Sequence, residues 1–259
     1  MNPQLTSALK RLRLSGLVAT LELRLHEAGS NQLSHLEFLE LLVHDELAVR
    51  DDRAIARRLV AAKFRDCKTL EDFDFTFNPK IPRRAIMDLA TGRFIREHRD
   101  LLFTGPPGVG KSHLAQALGH QAVKMGFHVL YRSIFDAVGD LAQAETMGDT
   151  AKTLRRYLKP DLLIIDDMGL KQLPKNSGEY LFEIIMRRFE LRSTIMTSNR
   201  PLEDWGKCIG DVPTATAILD RFLSRAEIIQ ITGKSYRLKE RLQHQSAAET
   251  SETPAPKKP

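Results

Sequence analysis

The chain has 259 residues, 42% of them hydrophobic, with 39 Lys and Arg against 33 Asp and Glu for a formal net charge of +6. That length buries a substantial core and leaves room for a small second domain, and the basic balance is compatible with a polyanionic partner or with solubility alone. Cys67 and Cys208 lie far apart without metal-type spacing, no window approaches the apolar length of a bilayer span, and Met1–Leu5 lacks a basic stretch leading into an apolar one, so no cysteine–metal site, membrane span or export leader is expected, and a cytoplasmic protein with reduced thiols is.

From Gln4 to about Arg65, Leu and Ala recur at helical spacing with few β-branched residues, which predicts an all-helical N-terminal domain over 1–67. Gly29-Ser30-Asn31 is the expected break, and Ser34 followed by Glu37 is a capping box that restarts a helix before Phe38 and Leu39. Residues 68–82 alternate acidic and aromatic positions around Phe73, Phe75 and Phe77, as in an extended linker whose rings dock on the next domain. The stretch 83–245 then alternates strand and helix, the pattern of a doubly wound parallel α/β sheet. Its five strands are expected at Leu101–Thr104, His128–Tyr131, Leu162–Asp166, Thr194–Thr197 and Glu227–Ile231, each covered on both faces. Pro213 marks the first turn of a helix running through Ile218. Residues 246–259, rich in Ser, Thr, Pro and Lys, have the composition of a disordered tail.

Between the first strand and its helix stands Gly105-Pro106-Pro107-Gly108-Val109-Gly110-Lys111-Ser112, which matches the phosphate-binding pattern G-x-x-x-x-G-K-[ST] in the required strand–loop–helix context. Glycines let backbone N–H groups close around a β-phosphate, Lys111 reaches the β- and γ-phosphates, and the Ser112 hydroxyl suits Mg²⁺ at a helix N-terminus. The nucleotide-contacting set so defined runs from Gly105 to His113. Downstream, Leu162-Leu163-Ile164-Ile165 ends in Asp166-Asp167. A parallel strand delivers its C-terminal residues to the crevice where ligands bind, so Asp166 is placed to support Mg²⁺ and Asp167 to polarise an attacking water. Thr197-Ser198-Asn199 ends another buried strand, and on a strand between the two nucleotide strands the Asn199 amide reaches both the γ-phosphate and the water.

Together with Ala217-Ile218-Leu219-Asp220-Arg221-Phe222 and Gly233-Lys234-Ser235-Tyr236-Arg237, these elements make the chain resemble the IstB-type transposition helper ATPases, a branch of the AAA+ superfamily close to the DnaC helicase loaders. The resemblance runs from the helical N-terminus through Thr-Ser-Asn-Arg-Pro to Ser-Tyr-Arg. It implies an AAA+ P-loop fold with Lys111 and Ser112 as the Walker A contacts, Asp166 and Asp167 as the Walker B pair and Asn199 as sensor 1. It further implies Arg221 as the arginine inserted into a neighbouring subunit's site, with Arg225 sharing its helix face, and Arg237 as the sensor 2 arginine of a truncated C-terminal lid. ATP and Mg²⁺ are the implied ligands. A homo-oligomeric ring or helical filament on double-stranded DNA, a cognate transposase and target selection are the implied assembly and role, with a DnaC-type replicative helicase loader as the alternative. Where many of these proteins carry glutamate this chain has Asp167, which makes slow hydrolysis, stimulated by DNA or a partner, the expectation. The DNA-binding candidates are Lys152, Arg155 and Arg156, in the position of an added helical element that faces nucleic acid in related proteins, and Arg83 and Arg84, beside Arg93, Arg96 and Arg99. Contacts of this kind neutralise phosphates without reading bases. An arginine-rich kinase lid and an Asn-Lys-x-Asp guanine-reading motif are both absent, which argues against a small-molecule kinase and a GTPase.

Overall fold

The computed structural model describes residues 2–236 and divides into two compact units that meet at Val60/Ala61. The first unit is helical. Helix α1 (Pro3–Arg11) is capped by Asn2, whose Oδ1 accepts the Gln4 N–H at 2.9 Å. Arg13 turns left-handed at φ 57° and opens α2 (Ser15–Asn31), a break that the sequence pattern did not announce. The expected break at Gly29 moves to Gln32, the left-handed C-cap at φ 50°; Gly29 itself lies inside α2, with open space around it. Helix α3 (His35–Ala62) opens on the expected capping box: Ser34 N–H donates to Glu37 Oε2 at 2.8 Å and Glu37 N–H to Ser34 Oγ at 3.3 Å. Polar ties pin α2 to α3. Glu46 Oε2 accepts the N–H groups of Gly16 at 2.7 Å and Leu17 at 3.2 Å, satisfying donors that the start of α2 leaves unpaired. Arg24 grips Asp45 with two bonds of 2.9 and 2.8 Å.

The second unit is a five-stranded parallel sheet between helices. Two short helices, α4 (Arg83–Leu89) and α5 (Arg93–Arg96), precede β1 (Asp100–Thr104) and α6 (Lys111–Lys124). Next come β2 (Val129–Ser133), α7 (Ile134–Met147), α8 (Thr150–Leu158) and β3 (Leu162–Met168). The unit continues through α9 (Ser177–Arg188), β4 (Ser193–Ser198), α10 (Trp205–Ile209), α11 (Val212–Leu223) and β5 (Ala226–Gln230). The strand order β2-β3-β4-β1-β5 puts β4 between β1 and β3, as the sequence reading required of the Asn199 strand. Unbroken apolar runs, Leu101-Leu102-Phe103 in β1 and Leu162 to Ile165 in β3, are fully buried because helices cover both faces. The expectation of two covered faces fails only at β5, an edge strand on which Ile228 is 49% exposed. Each of the five strands lies within two residues of its expected position.

Buried polar groups close the end of the sheet opposite the cleft. Arg188, 1% exposed, donates from Nη1 to the carbonyls of Tyr157 and Pro160 at 2.9 Å each and from Nε to Thr194 Oγ1 at 3.1 Å. It thereby caps the turn from α8 into β3 and the start of β4. Beside it, Asp100 accepts the Thr194 N–H at 2.6 Å, yet burial outweighs that bond and the Arg188 charge and pushes its carboxyl up to about 7.

Candidate active site

The loop joining β1 to α6 can bend as tightly as it does because of its glycines. Gly105 has φ 148°, and a Cβ there would stand 1.9 Å from the Ile231 carbonyl oxygen of the segment after β5. Gly110, at φ 103°, leaves room for the Phe73 ring, which a Cβ would approach to 2.8 Å. Val109 anchors the loop in the core while Pro106 and Pro107 stay exposed at its tip. Lys111 is 4% exposed and donates from Nζ to the Pro106 carbonyl at 2.8 Å, folding back along the loop.

Asp166 is the hub of the site. Its Oδ1 accepts from Ser112 Oγ at 2.8 Å and from the Thr197 hydroxyl, and its Oδ2 accepts from the Tyr131 phenol at 2.6 Å. Three strands and the first turn of α6 thus converge on one carboxylate that is 1% exposed. Burial, followed by the Asp166 charge, pushes the Tyr131 phenol far above its usual range, so it remains a donor. Asp167 faces the other way. A register shift between Ile165 and Met168 inserts one extra residue opposite β4, Asp167 takes φ 67°, and its N–H donates to Thr197 Oγ1 at 3.1 Å. The bulge explains how two consecutive acids serve one cleft: Asp166 lies behind Ser112, and Asp167 turns out onto the cleft wall.

That cleft, about 890 Å³, is lined by Lys111, Ser112, His113, Asp167 and Asn199 from the sheet side. Asn199 is held at its mouth by its N–H on the Met168 carbonyl at 3.1 Å. Residues that the sequence reading assigned to docking alone also line the cleft. Residues 68–82 fold into turns, and Lys68, Asp72, Phe73 and Asp74 line the cleft with Arg65 and Tyr236. Tyr236 N–H donates to the Gly108 carbonyl at 2.9 Å, and its ring packs 4.5 Å from Phe77 and 5.5 Å from Phe73. His113 serves this wall: its Nε2 lies 2.8 Å from the Thr69 carbonyl, and burial lowers its pKa, so the neutral ring donates there. Tyr131, Thr197 and the linker wall escaped the sequence reading. Thr197 beside Asn199 offered the nearest signal, a hydroxyl at the end of a buried strand.

The remaining candidates among the described residues lie apart from this cleft. Arg221 is exposed at the last turn of α11, its guanidinium 5.6 Å from the Phe189 ring centroid. Arg225 does not share that helix face, because α11 ends at Leu223; it pairs instead with Glu190 at 3.5 Å. On α8, Leu154 and Tyr157 are buried while Lys152 and Arg155 point outward, and Arg156 is tied to Asp140 at 2.7 Å. Arg83 and Arg84 are exposed on α4, with Arg83 5.5 Å from the Phe75 ring centroid, whereas Arg93 and Arg99 both pair with Glu97. Arg237 lies outside the described residues.

A glycine-rich loop opening a helix, with a carboxylate hub at the end of a neighbouring parallel strand, defines a P-loop nucleotide-binding protein. The family described as IstB-like ATP binding protein matches residues 7–244. An insertion sequence IS5376 putative ATP-binding protein of Geobacillus stearothermophilus is 40% identical over 83% of this chain and 85% of its own length. A putative ATP-binding protein in an insertion sequence of Mycobacterium tuberculosis is 37% identical over 93% and 96%. Among solved structures, AMPPCP-bound DnaA from Aquifex aeolicus superposes with a TM-score of 0.55 at 22% identity, covering 68% of this chain and 55% of that one. DnaI gives 0.53 at 24% identity, covering 65% and 90%. At these identities the two structures establish the fold, that of the AAA+ P-loop ATPases. The chain belongs to the IstB-like ATP-binding family and is an ATPase.

Proposed function

We propose that this ATPase assists a transposase by assembling on double-stranded DNA in an ATP-dependent ring or filament, and so helps select the target at which an insertion sequence is delivered. The names of its relatives in insertion sequences support the transposition role. In this reading Lys111 and the loop N–H groups hold the β- and γ-phosphates, Asp167 accepts a hydrogen bond from the attacking water, and Asn199 orients that water against the γ-phosphate. Ser112 and Asp166, already 2.8 Å apart, fit Mg²⁺. When bound, Mg²⁺ supplies charge neutralisation on the phosphates.

The observation that carries the assembly is Arg221. It is exposed at the end of α11 and is not among the residues that line its own chain's cleft, which is compatible with an arginine offered to the γ-phosphate of the next subunit. Nucleotide identity then biases the assembly equilibrium through that contact. Lys152 and Arg155 on α8, with Arg83 and Arg84 on α4, supply sequence-independent phosphate contacts that weaken as salt rises. Among the described residues no helix is long and apolar enough to cross a membrane, and the protein is proposed to act in the cytoplasm. Arg221→Ala should abolish ATP-dependent oligomerisation in light scattering and leave nucleotide binding within about twofold, as an exposed side chain remote from the cleft allows. Normal assembly by that variant would sink the assignment.

A further inference from the structure

Arg65 lies three residues beyond the end of α3 at Ala62, on the wall of the same cleft as Lys111, Asp167 and Asn199. Its two neighbours in sequence anchor it. The Phe64 ring stacks on His120, with centroids 4.1 Å apart and planes at 20°, and the Asp66 N–H donates to Gln116 Oε1 at 3.1 Å. Both partners stand on α6, the helix that Lys111 and Ser112 begin, so the backbone at position 65 is held in a fixed relation to the phosphate loop. The side chain is 72% exposed, and its Nη1 lies 3.9 Å from Asp167 Oδ2. A pair so long and so exposed contributes little to stability, so a merely structural role does not account for it. Among the described residues Arg65 is the one arginine on the cleft wall, and its forked donors match phosphate oxygens as well as they match a carboxylate.

We propose that Arg65 is a binding residue for the terminal phosphate of ATP on its own chain, and that its guanidinium is shared between that phosphate and Asp167. The γ-oxygens of a triphosphate compete with Asp167 for Arg65; a diphosphate has none and leaves the pair in place. The same guanidinium thus reports which nucleotide is bound. This inference rests on the role assigned above to Asp167. Because Arg65 follows α3 by three residues, the chain leaving the N-terminal helices is itself part of the nucleotide site.

The test measures the affinity of the full chain, with Mg²⁺, for a non-hydrolysable ATP analogue and for ADP. Arg65→Ala is expected to weaken the analogue about tenfold and ADP less than twofold, the scale of a charge-assisted hydrogen bond lost to one phosphate. Arg65→Lys, which keeps the charge but loses the fork, should recover part of that preference. In an Asp167→Asn background Arg65 loses the carboxylate it pairs with at 3.9 Å, so Arg65→Ala should cost the analogue several-fold more than it does in the natural chain. Equal losses for analogue and ADP, or the same cost in both backgrounds, would overturn the inference. The role of Asp167 stands or falls separately: if Asp167→Asn hydrolyses ATP at the natural rate, that role is wrong, whereas the binding ratios still decide whether Arg65 reads the terminal phosphate.

Discussion

Among residues 2–60 the buried apolar side chains are Leu21 and Leu42, while Leu23, Leu36 and Val60 are 64%, 65% and 80% exposed. Residues 61–236 instead enclose a continuous core from Leu102 in β1 through Ile165 in β3 to Phe222 in α11. The first unit is therefore held by polar pins, Glu46 on the start of α2 and Arg24 on Asp45, and the second by burial on both faces of a sheet. The difference teaches where each unit is vulnerable. A carboxylate pin fails with pH, and a buried core fails when a polar group inside it loses its partner.

The comparison is most sharply tested by Lys111→Ala, which should lower nucleotide affinity roughly a hundredfold or more by removing the charge-assisted phosphate contacts. In thermal unfolding, ATP should raise only the transition of the ATPase unit in the natural chain, and Lys111→Ala should erase that rise. A nucleotide-dependent shift in the helical unit would break the separation. Next in size, Arg188→Met should destabilise the ATPase unit by about 3–5 kcal/mol, because it orphans the Tyr157 and Pro160 carbonyls and removes one of the two arginine charges that act on Asp100; denaturant titration reads this directly.

The two units should also answer pH in opposite directions. The Arg24 bond holds the Asp45 carboxyl down at about 2, so its contribution is complete above the unfolded value near ~4 and is lost as pH falls towards 2. The Glu46 carboxyl is likewise lowered, first by Arg50 and then by the Leu17 and Gly16 N–H groups. Asp100 runs the other way: its contribution is complete below ~4 and is lost as pH rises to about 7. Circular dichroism during acid titration should show the helical unit melting first, and Glu46→Gln should move that melting to higher pH by weakening the pins that remain. The smallest effect expected is that Asp100→Asn, which keeps an acceptor for Thr194 N–H, flattens the ATPase unit's stability between pH 4 and 7.

Much of the ATPase unit was legible because its signals are local. Apolar runs bounded by turn residues marked the five strands, and the glycine-lysine-serine spacing marked the phosphate loop. Other features have no local signal. The bulge that turns Asp167 away from Asp166 is a register relation between β3 and β4, and the helix stop after Leu223 separates Arg225 from Arg221 despite their four-residue spacing. The acidic–aromatic stretch around Phe73 reads as a docking linker because nothing in its own residues says that Gly110 leaves space for its ring.

Taken alone, the sequence determined the class of the fold, the family and the residues able to hold phosphates, since backbone flexibility, apolar period and side-chain chemistry are properties of short segments. The tertiary structure decided which groups share a site. Asp166 gathers Ser112, Tyr131 and Thr197 from positions up to 54 residues away, and Arg65 meets Asp167 across the cleft. Such meetings depend on strand order and register, which are set by how the whole sheet buries its faces rather than by any one stretch of chain.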